Sequence, residues 1–261
     1  TVDRLAGYAG VPPAEVDALS AGVNHLAWIL RIEHRGRDLY PELAAFVEAR
    51  REPDDDLVRA DLYRRFGFYP TESSEHHAEY NPWFIPKGQV EAFHVPIGEY
   101  LSRVAHNLDE YAETKRMLDA GEPFEIERSG EYAATIAEAM TTGVPARIVV
   151  NAMNGGSLIP NLEADTCVEV PGLVDGLGVH PIAMGPLPLH LAAYIRGAVD
   201  MQGLTVRAAL DEDRDAIGHA VMTDPIVQSH LTLDEAWRLT DEMIEAESEW
   251  LPAWLGGTAA A

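Results

Sequence analysis

Residues 21–34, AGVNHLAWILRIEH, are the part of the sequence that most limits the possible fold. Apolar residues alternate along this segment as they do in a half-buried strand, and the turn sequence HRGRD at 34–38 follows it. The pattern predicts a strand, a turn and a second strand. Asn24 and His25 interrupt the apolar residues with two strongly hydrogen-bonding side chains, which a buried strand must satisfy.

Helical periodicity and capping signals predict that most of the remaining chain is helical. The expected helices are 2–9, 13–19, 41–51, 55–66, 97–119, 130–141, 187–202, 211–222 and 232–247. A strand with a turn is expected at 146–156 and a hairpin at 167–181, whereas 71–88 is expected to be loop. The order of these elements predicts a single α+β domain, mostly helical with a small antiparallel sheet.

The formal net charge of −24 argues against two classes of partner. A surface this acidic repels nucleic-acid phosphates and anionic lipid, so neither nucleic acid nor a membrane is an expected partner. We find no apolar run near the roughly 18 residues that cross a bilayer, and no signal-peptide pattern. The single cysteine, Cys167, excludes an internal disulfide and fits a reducing cytoplasm, which is the expected location.

Two polar clusters contain residue types that bind metals or sugars, and each has a structural alternative. His25 could be a metal ligand, although a single strand histidine is more often a structural residue. The segment TESSEHHAEY at 71–80 brings Glu75 and His76 together, but acidic loops are common in a chain this negative. Asn151 ends a strand, where it could bind a sugar hydroxyl or only form a turn.

The third cluster is RSGEYAAT, in which Ser129 is the expected N-cap and Tyr132 lies in the first helical turn. A phenol has an ordinary pKa near 10, so a tyrosine base at neutral pH needs a strongly stabilised phenolate. The helix end and Arg128 supply part of that stabilisation, and a divalent cation would supply the rest. Without the cation, Tyr132 is better explained as a tyrosine packed under a helix.

Taken together, the clusters lie in segments that resemble the glycoside hydrolases of family four, the NAD- and manganese-dependent glycosidases. The resemblance is closest to the α-galactosidase and α-galacturonidase branch. The matching segments follow the family order across nearly the whole chain: AGVNHLAW, LYPEL, RRFGFYPTESSEHHAEYNPWFIP, EYAATIAEAM, LIPNLEADTCVEVPGLVDGLGVHP, GPLPLHLAA and EWLPAWL. The most specific are TESSEH-x-x-EY and CVEVP-x-LVD.

The resemblance implies a fold like the carboxy-terminal domain of lactate dehydrogenases and hydrolysis of α-galactosides or α-galacturonides. It also implies NAD, which takes a hydride from sugar C3, and Mn²⁺, which binds the C2 and C3 oxygens while a tyrosine removes the C2 proton. Family members hold NAD in an amino-terminal Rossmann domain, and this sequence has no GxGxxG turn between a strand and a helix. We therefore expect residues 1–261 to be the substrate- and metal-binding domain, which should be inactive by itself. The simpler explanation of a sequence that begins with Thr1 rather than Met is that the chain has been processed or trimmed.

The same resemblance assigns roles to individual residues. His25 matches the metal-binding histidine, whose usual cysteine partner belongs to a segment that this chain lacks; Cys167 does not match that cysteine. Tyr132 matches the general base. The residues expected to contact substrate are Asn24, Arg128, Asn151, Glu75 and His76.

Two alternatives and one partner complete these expectations. A 2-hydroxyacid dehydrogenase shares this type of domain but would need an arginine clamp and no metal. The chain could also be a non-catalytic fragment that binds sugar or only oligomerises. A small carbohydrate is the expected substrate, and a homodimer or homotetramer is the expected assembly, with 187–202 contributing to its interface.

Overall fold

A computed structural model describes residues 1–124 and 131–256 of the chain. The predicted fold class is confirmed: the described residues form an α+β structure in which helices surround two small antiparallel sheets. Arg128 and Ser129, predicted as a substrate contact and an N-cap, lie outside the described residues. Among the described residues, no helix combines the length and the apolar character needed to span a bilayer.

The first sheet is built around its second strand. It contains β1 (Val16–Ala21), β2 (Trp28–His34), β3 (Arg37–Asp38) and β4 (Tyr69–Pro70), and β2 pairs antiparallel with each of the others. The turn predicted at 34–38 is therefore confirmed as the β2–β3 connection. The helix predicted at 13–19 is wrong, because only Pro13–Glu15 forms a 3₁₀ turn before the chain enters β1. Pairing with β2 outweighs the weak helical periodicity of that short segment.

The single strand predicted at 21–34 is also wrong in part. Residue 21 ends β1 and residue 28 begins β2, so Asn24 and His25 lie in the connection between two strands. A turn explains how an apolar segment can include two polar side chains, since a turn directs them away from the core.

The second sheet consists of β5 (Ala146–Met153), β6 (Cys167–Asp175) and β7 (Gly178–Pro181), in that order and antiparallel. It confirms the strand and the hairpin predicted in this region. One bridge joins the two sheets: the Gly22 amide donates to the Glu169 carbonyl at 3.0 Å, and the Glu169 amide donates to the Gly22 carbonyl at 2.8 Å. The start of the β1–β2 connection is thereby fixed against the first half of β6.

Helices cover most of the remaining described chain. They are α1 (Val2–Ala9), α2 (Tyr40–Glu48), α3 (Leu57–Phe66), α4 (Ser74–Glu79), α5 (Glu99–Ala120), α6 (Ala133–Thr142), α7 (Leu189–Asp211), α8 (Arg214–Thr223), α9 (Pro225–His230) and α10 (Leu233–Ala246). Helix α4 overturns the loop predicted at 71–80. The Ser73 side chain caps it by accepting from the His76 amide, and burial of His77 and Ala78 holds it in place.

The largest part of the core lies between the first sheet and α7. Trp28 is fully buried, and its ring contacts Tyr194 at a centroid distance of 5.1 Å and Phe66 at 5.3 Å. Val168 and Val170 of β6 belong to the same cluster. The two sheets and α7 therefore share one apolar interior. The β1–β2 connection is supported by this close-packed core.

Candidate functional site

The β1–β2 connection is a tight turn that holds Asn24 and His25 at its tip. Gly22 permits it, because a Cβ at that position would lie only 2.5 Å from the Cα of Ala27. His25 reverses the chain with a left-handed φ of 67°, and the Leu26 amide donates to the Val23 carbonyl at 2.8 Å. Val23 and Leu26 are buried, which leaves Asn24 exposed and His25 half-buried at the surface.

Helix α4 brings the second polar cluster to His25. The His25 Nδ1 and the Tyr80 hydroxyl form a hydrogen bond of 3.1 Å, and the His25 Nε2 lies 3.8 Å from a Glu72 carboxylate oxygen. The His76 ring meets the His25 ring edge to face at a centroid distance of 4.8 Å. Two clusters that the sequence separates by about 50 residues therefore form one site, at which the imidazole is the central group.

The two adjacent histidines of α4 have different surroundings. His76 faces the site, and its Nδ1 lies 3.1 Å from the Ser73 hydroxyl. His77 points into the core, where its Nδ1 bonds the Tyr194 hydroxyl at 2.8 Å. Burial lowers the pKa of His77 to about 3, so this ring is neutral at physiological pH and acts as a packing residue.

Glu169 is a site residue that the sequence did not single out. The Asn24 amide donates to its carboxylate at 3.2 Å, and it lies directly across the β5–β6 pair from Asn151. Cross-strand partners project on the same face, so Asn24, Glu169 and Asn151 share one region. Burial, together with the nearby charge of Glu72, raises the pKa of Glu169. A carboxylate between two valines of a buried strand is the sequence signal that would have indicated it.

Glu75 belongs to the edge of the site rather than to its centre. Its carboxylate accepts from Arg103 of α5 at 3.3 Å, and burial and a hydrogen bond with Glu99 raise its pKa. Glu72 and Glu75 also border a cavity of about 420 Å³ that Arg4, Arg59 and His94 help to line. This cavity offers room and mixed charge beside Glu72, whose carboxylate lies near His25.

Tyr132 occupies a different place from the one predicted. It is the N-cap residue of α6 and not part of the first turn, because its carbonyl accepts the first helical hydrogen bond, from Ile136 at 2.8 Å. Its side chain is 45% exposed. Within the described residues it forms no hydrogen bond with His25, Asn24 or Glu169, so the structure does not join it to the His25 site directly.

His25 is the candidate metal ligand, and the described residues do not complete a metal site around it. They contain no group of three or more His, Cys, Asp or Glu side chains arranged to hold a metal ion. The partly exposed imidazole of His25, with Glu72 next to its Nε2, is a suitable donor for a divalent transition metal such as Mn²⁺. Its Nδ1 is already held by Tyr80, as the second nitrogen of a metal-binding histidine usually is.

Solved structures with the same fold include glycosidases. A putative glucosidase from Bacillus subtilis superposes with a TM-score of 0.81 at 21% identity, over 93% of this chain and 59% of that one. A 6-phospho-α-glucosidase from gut microorganisms, solved in complex with NAD and Mn²⁺, gives a TM-score of 0.73 at 20% identity, over 95% of this chain and 58% of that one. At these identities the comparison establishes the fold.

Sequence comparison establishes the family. An α-galactosidase from Bacillus subtilis is 35% identical over 89% of this chain and 54% of its own length, and an α-galacturonidase from Thermoanaerobacter italicus is 28% identical over 89% and 55%. The chain spans about half the length of the curated relatives it matches. The model of the family 4 glycosyl hydrolase C-terminal domain matches residues 20–227, and the chain therefore belongs to the family 4 glycosyl hydrolases.

Proposed function

We propose that this chain is the substrate- and metal-binding domain of an enzyme that hydrolyses α-galactosides or α-galacturonides. The observation that carries the proposal is the meeting of two motifs: the turn at Asn24-His25 and helix α4 converge so that His25 contacts Glu72, His76 and Tyr80. The substrate class rests on relatives that are α-galactosidases and α-galacturonidases.

The two cofactors fit the chain differently. His25 fits Mn²⁺, and we propose it as one protein ligand, with Glu72 beside it. The described sheets are antiparallel and do not supply the parallel β-α-β unit of a dinucleotide-binding fold, so NAD is assigned to no residue described here. When bound, the metal supplies a Lewis acid for sugar oxygens.

The residues around His25 would fix its orientation and that of the sugar. The Tyr80 hydroxyl holds the Nδ1 side of the ring and leaves the Nε2 toward Glu72. Glu169 holds the side-chain amide of Asn24, whose carbonyl oxygen and second N–H are then directed by that bond. Asn24, Asn151, Glu75, His76 and Arg128 are the proposed sugar contacts. Because Asn24, Asn151, Glu75 and His76 are held by the two joined sheets and α4, the sugar would meet a preorganised surface there.

Tyr132 is the proposed base that takes the proton from sugar C2. It stands at the N-terminus of α6, where the unpaired amide groups of the first turn and the helix dipole attract anionic groups of a ligand. Its exposure leaves the hydroxyl accessible to a substrate. The sugar itself would connect this residue to the His25 site.

Activity assays with both cofactors test the proposed function. The protein as its gene encodes it should release nitrophenol from nitrophenyl α-galactoside or α-galacturonide only when NAD and Mn²⁺ are both present. Removal of the metal with a chelator should stop turnover, and added Mn²⁺ should restore it. The 261-residue chain alone should be inactive. Turnover that survives removal of both cofactors would contradict the proposal, as would inactivity toward both substrates in their presence.

Replacing Glu169 by Gln should separate the role of its charge from that of its shape. The neutral amide keeps an acceptor for Asn24 but loses the charge assistance, so kcat/KM should fall roughly 10-fold. Stability should change in the opposite direction. Because burial raises the pKa of Glu169, its ionised form costs folding free energy, and this cost grows as pH rises through that pKa. The Gln variant should therefore melt at a higher temperature near neutral pH.

The matching control is Glu163→Gln, which removes one charge from an exposed position before β6. Melting curves of both variants between pH 4 and pH 8 give the measurement, and the gain of the Glu169 variant should shrink toward the acid end. Equal kinetic constants and parallel melting profiles for wild type and the Glu169 variant would contradict a role of Glu169 in the site.

A further inference from the structure

Helix α3 contains a buried arginine whose contacts extend toward the His25 site. The side chain of Arg59 is 4% exposed, and that of Asp56, three residues earlier, is fully buried. One carboxylate oxygen of Asp56 accepts from the Arg59 Nε. The other accepts from the hydroxyls of Tyr8, at 2.7 Å, and Tyr69. The carboxylate therefore has partners from α1, α3 and β4, and its charge-assisted bond fixes the orientation of the Arg59 guanidinium.

The same arginine holds the short segment that joins β4 to α4. The Arg59 Nη1 donates to the Glu72 carbonyl at 3.3 Å and to the Thr1 hydroxyl at 3.0 Å. The main-chain amide of Arg59 donates to the Ser74 hydroxyl at 3.2 Å. Arg59 thus contacts the residue before Ser73 and the residue after it, and Ser73 is the residue that caps α4.

Glu72, whose carbonyl Arg59 contacts, also carries the carboxylate next to His25. One carboxylate oxygen of Glu72 accepts from the Ser73 amide at 3.0 Å, and the other lies 3.8 Å from the His25 Nε2. The side chain is therefore bound to its own main chain on one side and meets the imidazole on the other. Where the carboxylate lies depends on where the main chain of Glu72 is held, and the guanidinium of Arg59 is a group that holds it.

Stability alone does not explain why this arginine is buried. Removal of two charges from water costs free energy that their attraction often fails to recover, so a buried ion pair is weak evidence of a stabilising role. Helix α3 has a second pair of this kind, in which Arg64 binds the buried Glu52 and donates to the Val47 carbonyl at 2.9 Å. The two pairs differ in what they hold: the second holds the end of α2, and the first holds Glu72.

We propose that Arg59 is a positioning residue for the metal site. Together with Asp56 it holds the main chain at Glu72, so that the Glu72 carboxylate stays beside the Nε2 of His25. The inference rests on the proposed function, in which His25 is a ligand of Mn²⁺. A guanidinium suits this task because its fork donates to a carboxylate and to a carbonyl at the same time, whereas the ammonium group of a lysine is a compact point charge.

Substitution of Arg59 by Lys tests the inference in the protein as its gene encodes it. The lysine keeps a positive charge for Asp56 but loses the contact with the Glu72 carbonyl. The dissociation constant of Mn²⁺ should therefore rise roughly 10- to 100-fold, as it does when groups that support metal ligands are lost. The matched control is Arg64→Lys, which changes the other buried pair of α3 and should leave the constant unchanged. The electron paramagnetic resonance signal of free Mn²⁺ gives the constants, and thermal melting checks that each variant folds.

A double-mutant cycle with Glu72→Gln separates positioning from a general loss of structure. Glu72→Gln alone should weaken Mn²⁺ binding. Addition of Arg59→Lys should then weaken it further by no more than roughly twofold, because both substitutions interrupt the same contact. Additive losses would overturn the inference. So would a wild-type constant for Arg59→Lys, or an equal loss in Arg64→Lys.

A crystal structure of the metal-free Arg59→Lys protein distinguishes failure of this inference from failure of the proposed function. The distance between the Glu72 carboxylate and the His25 Nε2 should increase from the 3.8 Å of the wild type. An unchanged distance would overturn the positioning role even where the wild type binds Mn²⁺. A wild type that does not bind Mn²⁺ would contradict the proposed function, whatever the variant structure shows.

Discussion

Replacing Tyr132 by Phe is expected to lower turnover roughly 100- to 10,000-fold while substrate still binds. The substitution removes the hydroxyl group that acts as the base and leaves the rest of the side chain unchanged. The residue is an exposed N-cap of α6 and belongs to none of the described apolar clusters. The loss should therefore not come from a change in folding. If the phenolate takes the proton from sugar C2, solvent deuterium should stop entering that position in the variant.

Tyr63→Phe provides the matched control. Its hydroxyl makes a 3.4 Å contact with the Tyr40 carbonyl in the cluster between α2 and α3, and this substitution should leave both turnover and exchange unchanged. The exchange is read by NMR of substrate recovered from D₂O with both cofactors present. Wild-type exchange rates in the Tyr132 variant would mean that another residue is the base.

Replacing His25 by Ala is the second change with a large expected effect. Loss of a supporting hydrogen bond in a metal site weakens metal binding roughly 10- to 100-fold, and loss of the ligand itself should exceed that. The expected result is a Mn²⁺ affinity too weak to saturate, with turnover that no longer responds to the metal. The substitution leaves the buried neighbours Val23 and Leu26 in place, so the turn should still form.

Titration of Mn²⁺ followed by the electron paramagnetic resonance signal of the free ion reports binding independently of activity. His106→Ala, on an exposed face of α5, removes an imidazole elsewhere and should bind Mn²⁺ as the wild type does. A His25 variant that follows the wild-type titration curve would contradict the assignment of His25 as a metal ligand.

Much of the fold was predictable because its signals are local. The helix α10 and the β6–β7 hairpin follow periodicity, caps and turn glycines, and the structure confirms them. Helix α7 begins near its predicted start but continues nine residues past the predicted end at 202, to Asp211. The errors occur in short segments whose conformation is decided by distant partners. Residues 13–19 could form a helix by themselves, but pairing of β1 with β2 makes most of them a strand. Ser73 and buried neighbours make a helix of residues that otherwise have no period.

The site was predictable only in part for the same reason. Resemblance to a family identified His25 and His76, and the structure places their rings in contact. Glu169 and Tyr80 contact the turn only because the Gly22–Glu169 bridge and the packing of α4 bring them there. A single sequence does not reveal those long-range contacts. The two adjacent histidines of α4 are an example, because the sequence alone does not show that His76 faces the site and His77 the core.

The left-handed backbone at His25 has a practical consequence for engineering this protein. A side chain with a Cβ is disfavoured there by roughly 1 kcal/mol or more relative to glycine. A library selected only for heat resistance would therefore enrich glycine at residue 25 and remove the imidazole from the turn. Stabilisation programmes should keep position 25 constant and diversify the surface away from the β1–β2 turn.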